Sequence, residues 1–304
     1  MQQSTATQAS RSDAVRVFVA ATQAEWLPMR VLEFSIRETT ELPVELSAIY
    51  THQRTIPTPR DSHNRARTPF SFQRFLIPEL CGFQGRAIYL DADMQVFQDI
   101  AGLWQRPFHD CVVQTVGSAG ARRSQFSVML LDCSRLPWKI EEIISQLDSG
   151  QISYQELMYE MKLAGEISYD IPGTWNSLEH YTPAATCLLH YTDMNTQPWV
   201  SLDNPNGELW VACLRRALDS GFIQHDELER EIRLGHVRPS LLPEVSAGSV
   251  APWRPAFSDL LHDVFYTPPF YAIAASRMGT MRTSLSKLSR AGRLMLRPLM
   301  RQST

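Results

Sequence analysis

Arg86-Ala-Ile-Tyr-Leu-Asp-Ala-Asp-Met-Gln-Val-Phe97 is the stretch that decides the fold, because an apolar run there leads directly into two aspartates. A short apolar run bounded by polar residues is typical of a buried strand. Residues two apart in an extended chain face the same side, so Asp91 and Asp93 leave the strand together. Two adjacent carboxylates repel each other unless a cation lies between them, and Mg²⁺ and Mn²⁺ favour carboxylate oxygens. The pair therefore indicates a metal site, with a solvated turn as the alternative interpretation.

Strand and helix patterns alternate around this stretch. Further strands are predicted at residues 16–21, 45–50, 111–116, 126–131 and 187–191. Helices are predicted where apolar residues recur at helical spacing, at residues 25–37, 70–80, 140–147, 154–163, 208–220 and 225–234. This alternation predicts an α/β fold with helices on both faces of the sheet, and ligands bind beyond the carboxyl ends of the strands in such folds.

The overall composition excludes several classes of protein. The chain has 304 residues, of which 44% are hydrophobic and 20% are charged, as is typical of globular proteins. Its net charge of −3 argues against a nucleic-acid-binding protein. The five cysteines are odd in number and form no C-x-x-C pair, which argues against a disulfide framework and a cysteine zinc site. Because the sequence has neither a signal peptide nor an apolar stretch of about 18 residues, we expect a cytoplasmic protein.

Both ends of the chain differ in composition from its body. Residues 1–13 are polar and are predicted to be disordered, and the proline-rich residues 237–275 are predicted to wrap around the body. No acidic residue follows Asp263, whereas seven basic residues do, and apolar residues recur there at helical spacing. Residues 276–304 are therefore predicted to form a basic amphipathic helix. One of its faces carries Arg290, Arg293, Arg297 and Arg301.

This helix has two open interpretations. Basic amphipathic helices bind the surface of anionic membranes, and the protein would then be peripheral on the inner face of the membrane. Alternatively, the helix packs its apolar stripe on the body, with its arginines facing water or the acidic domain. The chain up to residue 263 carries a net charge of −10, because the total of −3 includes +7 from the tail.

His190 is a candidate third metal ligand, because it ends the apolar run Cys187-Leu-Leu-His190 and is followed by polar residues. An imidazole beside two carboxylates would favour Mn²⁺ over Mg²⁺. The alternative is a hydrogen-bonded, partly buried histidine without a metal.

Several motifs in this chain occur in the order found in family 8 glycosyltransferases, retaining enzymes that include glycogenin and bacterial lipopolysaccharide galactosyltransferases. Phe72-Gln-Arg-Phe-Leu-Ile-Pro78 followed by Ala87-Ile-Tyr-Leu-Asp-Ala-Asp93 resembles the family's Y-R-L-x-I-P and V-L-Y-L-D-x-D block. Tyr154-Gln-Glu156 stands where the family has D-Q-D, and Trp175-Asn176 matches its W-N. His190 through Trp199 is similar to H-x-x-G-x-x-K-P-W. The resemblance covers about residues 15–200.

This resemblance implies a GT-A fold over residues 14–236, with a mixed, mostly parallel sheet and a C-terminal helical extension. It implies that Asp91, Asp93 and His190 hold Mn²⁺, or Mg²⁺, against the diphosphate of a UDP-sugar. The donor-binding positions that it implies are Ala20, Ala21, Thr22, Arg74, Asp91, Ala92 and Gln197. For Arg74, an ion pair with Glu79 is the alternative.

The catalytic residues implied by the resemblance are Gln155 and Glu156. An amide is a poor nucleophile, so Gln155 would position the sugar or stabilise positive charge at its anomeric carbon. A carboxylate such as Glu156 performs either task better. The alternative for Glu156 is a solvated helix face.

Three departures from the family pattern affect the donor pocket. Ser124-Gln-Phe-Ser127 replaces F-N-x-G, Tyr154 replaces an aspartate, and Gln197 replaces a phosphate-binding lysine. Neutralisation of the diphosphate then depends on the metal and Arg74, or on Arg65 and Arg67.

The predicted activity is metal-dependent transfer of a hexose from a UDP-sugar to an unidentified acceptor, either a saccharide or a lipid-linked sugar. A non-catalytic nucleotide-sugar-binding or membrane-associated protein is the alternative. A D-x-D phosphatase is disfavoured, because its motif lies near the N-terminus, whereas here two predicted strands precede Asp91.

Overall fold

The structure is a computed structural model that describes residues 14–117, 126–248, 253 and 255–271. The predicted disordered residues 1–13 and the predicted basic helix over 276–304 lie outside the described residues, as do its four arginines. Every helix in the described part of the chain is too short or too polar to cross a membrane.

Strands in the described part of the chain form two sheets. In chain order they are β1 (Val15–Ala20), β2 (Val44–Ala48), β3 (Arg86–Asp91), β4 (Met94–Val96), β5 (Val113–Val116), β6 (Val128–Asp132), β7 (Ile167–Ile171), β8 (Ser177–Leu178) and β9 (Leu188–His190). The central sheet has the order β2-β1-β3-β6-β5-β7. Only β6 runs antiparallel to its neighbours in this sheet, and the other pairs are parallel. The predicted α/β fold with a mixed, mostly parallel sheet is therefore confirmed.

Helices pack on both faces of the central sheet. The helices of the described residues are α1 (Trp26–Thr39), α2 (Ile77–Leu80), α3 (Ala101–Trp104), α4 (Ile140–Ser149), α5 (Tyr154–Met158), α6 (Gly207–Asp219), α7 (His225–Arg233), α8 (Leu241–Ser246) and α9 (Phe257–Phe265). Helix α1 packs on one face of the sheet and α4 on the other, whereas α6 packs against α1. Successive residues of β3 alternate between two apolar clusters: Tyr89 belongs to one, and Ile88 and Leu90 belong to the other. Burial on both faces explains why residues 87–90 of this strand form an uninterrupted apolar run.

Two predicted helices are shorter in the structure. The helix predicted over residues 70–80 is a 3-10 turn, Gln73–Leu76, followed by α2, because Pro78 has no N–H with which to continue a helix but fits a first turn. The helix predicted over residues 154–163 ends at Met158, and Met161 has a left-handed backbone with φ of 50°. A helix cannot contain that conformation.

Five strands and α-helices of the described residues lie outside every predicted range: α3, β7, β8, α8 and α9. The edge strand β7 has mostly exposed or half-exposed side chains and therefore lacks an apolar run. Helices α8 and α9 lie within the proline-rich residues 237–275, for which only a wrapping segment was expected. Leu241 and Tyr266 from this segment pack against α1 and α6 in a third apolar cluster.

Candidate metal centre

The pairing of two short strands brings the three candidate ligands together. Strand β3 ends at Asp91, and β4 begins immediately after Asp93. Strand β4 runs antiparallel to β9, and Met94 lies directly opposite His190. One potential ligand atom from each of Asp91, Asp93 and His190 lies within 4.8 Å of the others. The structure therefore places the histidine, about a hundred residues along the chain, beside the aspartate pair as the sequence predicted.

His190 is oriented by two hydrogen-bonding partners. Its Nε2 lies 3.1 Å from Asp93 Oδ1, and its Nδ1 lies 2.9 Å from Asn176 Oδ1. Because an amide oxygen only accepts, Nδ1 carries the proton, and in the neutral ring the lone pair is on Nε2, toward the aspartates. Burial lowers the pKa of His190, but the charges of Asp93, Asp91 and Glu179 outweigh it, so that the net shift is upward.

Neutral donors also hold the two carboxylates. The Tyr89 hydroxyl donates to Asp91 Oδ1 at 2.5 Å, and burial raises the Tyr89 pKa well above its usual value. The Gln197 amide donates to Asp93 Oδ2 at 3.1 Å and to the Tyr191 carbonyl at 2.9 Å. Two carboxylates and one imidazole, each fixed by a hydrogen bond outside the cluster, form a donor set that fits Mn²⁺ or Mg²⁺.

Arg74, one of the donor-binding positions implied by the resemblance, lies beside Asp91. Its guanidinium is buried, lies 3.9 Å from Asp91 Oδ1 and donates to the Phe126 carbonyl at 3.1 Å. It also lies 4.7 Å from the centre of the Tyr89 ring. Glu79, the alternative ion-pair partner, pairs instead with Arg54.

The end of β1 adjoins the metal centre. Ala20 lies opposite Asp91 in the parallel pairing of β1 with β3, and the Ala20 and Ala21 side chains are fully buried. The Ala21 N–H donates to Gln73 Oε1 at 3.1 Å, and Gln73 Nε2 donates back to the Ala21 carbonyl at 2.9 Å. Gln73 thus holds the strand end in place, a role that the sequence did not reveal.

Thr22 and Ala92 complete the predicted donor-binding positions. Thr22 and Glu25 form a capping box that starts the turn leading into α1. The Thr22 N–H and hydroxyl both donate to Glu25, at 2.7 and 2.5 Å. Ala92 is buried between the two aspartates.

The predicted catalytic residues Gln155 and Glu156 form local contacts on α5. Glu156 belongs to a capping box with Ser153 and lies 2.5 Å from Lys162 Nζ, and these hydrogen bonds lower its pKa to about 2. Gln155 Nε2 donates to Glu160 Oε1 at 3.1 Å. Within the described residues, neither side chain has a hydrogen bond or ion pair with the metal centre.

Helix α5 nevertheless packs against the turn that carries Arg74. The Tyr154 ring lies 6.1 Å from the Phe72 ring, and the Arg67 guanidinium lies 5.0 Å from the centre of Tyr154. Tyr154, where the family pattern has an aspartate, is therefore a packing residue that also brings Arg67 to this side of the molecule.

Three residues of the site were not predicted from the sequence: Tyr89, Gln73 and Asn176. Tyr89 is two residues before Asp91 and therefore faces the same side of β3, a signal that period-2 reasoning could have used. Asn176 belongs to the quoted Trp-Asn motif. Gln73 gave no local signal, because its partner Ala21 is 52 residues away.

A family model matches the part of the chain that includes the aspartate pair. Residues 30–155 match the family described as Glycosyl transferase family 8. Protein CDI of Arabidopsis thaliana is 34% identical over 92 residues, which cover 29% of this chain and 35% of that protein. The match thus spans about a third of the length of this relative.

Two solved structures resemble about two thirds of the chain in fold. The apo form of the glycosyltransferase GlyE from Streptococcus pneumoniae TIGR4 superposes with a TM-score of 0.50 at 15% identity, over 69% of this chain and 63% of GlyE. The apo structure of the bifunctional glycosyltransferase WbbM gives a TM-score of 0.50 at 13% identity, over 66% and 50%. At these identities the likeness concerns the fold.

Proposed function

We propose that this chain, whose residues 30–155 match the family 8 glycosyltransferase model and whose fold is of GT-A type, is a metal-dependent retaining transferase that moves a hexose from a UDP-sugar to an acceptor. The observation that carries the proposal is the convergence of Asp91, Asp93 and His190 at the carboxyl end of β3. Ligands of α/β sheets bind at this edge.

The residues of the chain have distinct roles in this reaction. Asp91, Asp93 and His190 would hold a divalent ion, Mn²⁺ or Mg²⁺, which would supply Lewis acidity for the diphosphate leaving group. Arg74 supplies a permanent positive charge beside Asp91. The end of β1, from Ala20 to Thr22, lines the nucleoside of the donor.

Retention of the anomeric configuration needs a polar group on the other face of the sugar. Gln155 and Glu156 are our candidates, with Gln155 orienting the donor and Glu156 stabilising positive charge. Glu156 would have to exchange its contact with Lys162 for one with the donor, and its pKa of about 2 keeps it ionised at neutral pH.

A membrane surface is the proposed site of action. Three apolar side chains at i, i+4 and i+8 of α9 are solvent-exposed: Phe257 (72%), Leu261 (40%) and Phe265 (78%). The opposite side of α9 is fixed to the body through Asp263, which accepts from the Ser240 N–H at 2.9 Å. The acid-free, basic segment follows this helix in sequence. Together these features favour peripheral attachment to an anionic membrane, and we propose a cytoplasmic protein with a lipid-linked sugar or a saccharide as acceptor.

Donor hydrolysis tests the transferase proposal. The full chain is incubated with several UDP-sugars and Mn²⁺, and we expect UDP release that is lost on removing the metal with a chelator. Asp93→Asn should abolish this release. Asp132→Asn is the matched control, because Asp132 ends the antiparallel strand β6 and lies opposite Arg86 at the other edge of the sheet.

Binding distinguishes the transferase from a non-catalytic nucleotide-sugar-binding protein. UDP with Mn²⁺ should raise the melting temperature, because a ligand that binds only the folded state stabilises it. Stabilisation without UDP release from any donor would support the non-catalytic alternative. If UDP neither binds nor stabilises the wild-type chain, the proposed function is wrong.

A further inference from the structure

Gln197 is buried beside Asp93 of the metal centre, and its side-chain amide forms hydrogen bonds within the protein. Its side chain is 7% exposed, and Nε2 donates to both Asp93 Oδ2 and the Tyr191 carbonyl. The Tyr191 N–H in turn donates to the Asp93 carbonyl at 2.9 Å. A single amide group therefore joins the carboxylate of Asp93 to the loop that follows β9.

This contact fixes how the Asp93 carboxylate is rotated. With Oδ2 held by Gln197, Oδ1 is the oxygen that faces His190 Nε2, at 3.1 Å. A metal-binding side chain is oriented by hydrogen bonds to the atom that does not contact the metal, and these bonds contribute to the affinity of the site for the metal. Because the amide is neutral, it orients Asp93 without neutralising it, and the cluster keeps both negative charges for a cation.

We propose that Gln197 is a positioning residue for Asp93 that sets the affinity of the centre for its metal ion. A second consequence concerns the nucleotide: with a neutral side chain here, the positive charge facing the diphosphate comes from the metal and Arg74. Nucleotide binding then depends strongly on the metal. This inference rests on the metal centre of the proposed function.

Gln95 is a matched control for the same chemical change. It is 1% exposed, accepts from the Tyr191 hydroxyl at 2.8 Å and donates to the Leu209 carbonyl at 3.3 Å. It lies on β4, close to the same loop, but has no hydrogen bond with Asp91, Asp93 or His190. A substitution of Gln95 therefore reports the structural effect of losing a buried amide near the site.

The experiment compares Mn²⁺ binding by the metal-free full chain and its variants, measured by electron paramagnetic resonance. Gln197→Met should weaken Mn²⁺ binding about ten- to a hundredfold, the range found for residues that orient metal ligands. Gln95→Met should lower the melting temperature and leave Mn²⁺ affinity unchanged. If the wild-type chain binds Mn²⁺ and Gln197→Met binds it with the same affinity, the positioning role of Gln197 is wrong but the proposed metal centre stands. A wild-type chain that binds no Mn²⁺ overturns the proposed metal centre as well.

Gln197→Lys tests the proposed role in charge balance through UDP affinity without metal, a quantity that would not rise if Gln197 had a purely structural role. Lysine keeps an N–H donor for Asp93 but adds a positive charge that competes with the metal. We expect weaker Mn²⁺ binding and, in the presence of a chelator, tighter UDP binding than in the wild type, measured by calorimetry. UDP affinity without metal that is unchanged or lower in Gln197→Lys contradicts the proposed role in charge balance.

Discussion

His190 has opposite effects on folding and on metal binding as the pH changes. In the metal-free chain its pKa is raised by the neighbouring carboxylates despite its burial. The charged ring therefore contributes stability that is fully present below the unfolded pKa of about 6.5 and is lost as pH rises through the folded pKa. Metal binding needs the neutral ring, so protons compete with the ion.

We therefore predict that raising the pH from below 6.5 through the folded pKa lowers the stability of the metal-free chain and strengthens Mn²⁺ binding. Urea unfolding and Mn²⁺ titration over this pH range measure the two effects. His190→Gln should remove both pH dependences, since glutamine does not titrate. If His190→Gln keeps the wild-type pH profile of Mn²⁺ affinity, then His190 is not a ligand.

Asn176 accepts the hydrogen bond that selects the metal-binding tautomer of His190. Asn176→Leu should weaken Mn²⁺ binding about tenfold, because the ring loses the acceptor for its Nδ1 proton. Asn206→Leu is the control, since Asn206 also uses its amide in one partly buried bond, to the Glu179 carbonyl at 2.8 Å. An equal loss of Mn²⁺ affinity in both variants would point to a general structural effect.

The end of strand β1 is held by a residue of the turn before α2, and this contact determines the shape of the proposed nucleoside site. Gln73→Leu leaves the Ala21 N–H and carbonyl buried without their side-chain partner. At about 1–3 kcal/mol for each of the two buried groups, we expect a loss of about 2–6 kcal/mol in the free energy of unfolding. Chemical denaturation measures it.

The same substitution should weaken UDP binding, because the strand end is no longer fixed. Gln114→Leu is the matched control: Gln114 is a buried glutamine of β5 whose side chain bonds Arg106 at 2.9 Å, away from β1. It should destabilise the fold and leave UDP affinity unchanged in calorimetry at a temperature where both variants are folded. A Gln73→Leu variant with wild-type UDP affinity would show that the strand end does not contact the nucleotide.

On the scale of the whole molecule, the exposed stripe of α9 and the basic segment after it are proposed to face a membrane together. Replacing Phe257 and Phe265 by serine should weaken binding to anionic liposomes at least about tenfold, because each inserted phenylalanine removes apolar area from water. Cosedimentation measures the bound fraction. Leu234→Ser is the control, because Leu234 is 56% exposed but lies beyond the end of α7.

Deleting residues 277–304 should reduce liposome binding while donor hydrolysis is retained. Binding that persists after the deletion, and in the double serine variant, would contradict the membrane proposal. Lost hydrolysis in the deletion variant would instead support the alternative in which the segment packs on the body.

The strands of the sheet could be predicted because their burial is a local property of the sequence. Strand β3 lies between two apolar layers, so its buried residues, from Ala87 to Leu90, form an apolar run that ends where the aspartates begin. Strand β7 was missed because an edge strand need not be apolar, and α9 was missed because prolines surround it. His190 was predicted from its place at the end of an apolar run, but only the family motifs joined it to Asp93.

By itself the sequence determined the alternation of strands and helices and the aspartate pair at a strand end. It also determined that the body is acidic and the C-terminal tail basic. Only the tertiary structure decided that β4 pairs with β9 and that Gln73 forms hydrogen bonds with Ala21. It also decided that Gln197 donates a hydrogen bond to Asp93, 104 residues away. The physical reason is that hydrophobic periodicity acts between neighbours along the chain, whereas a buried polar group takes its partner from whichever segment the packed core brings beside it.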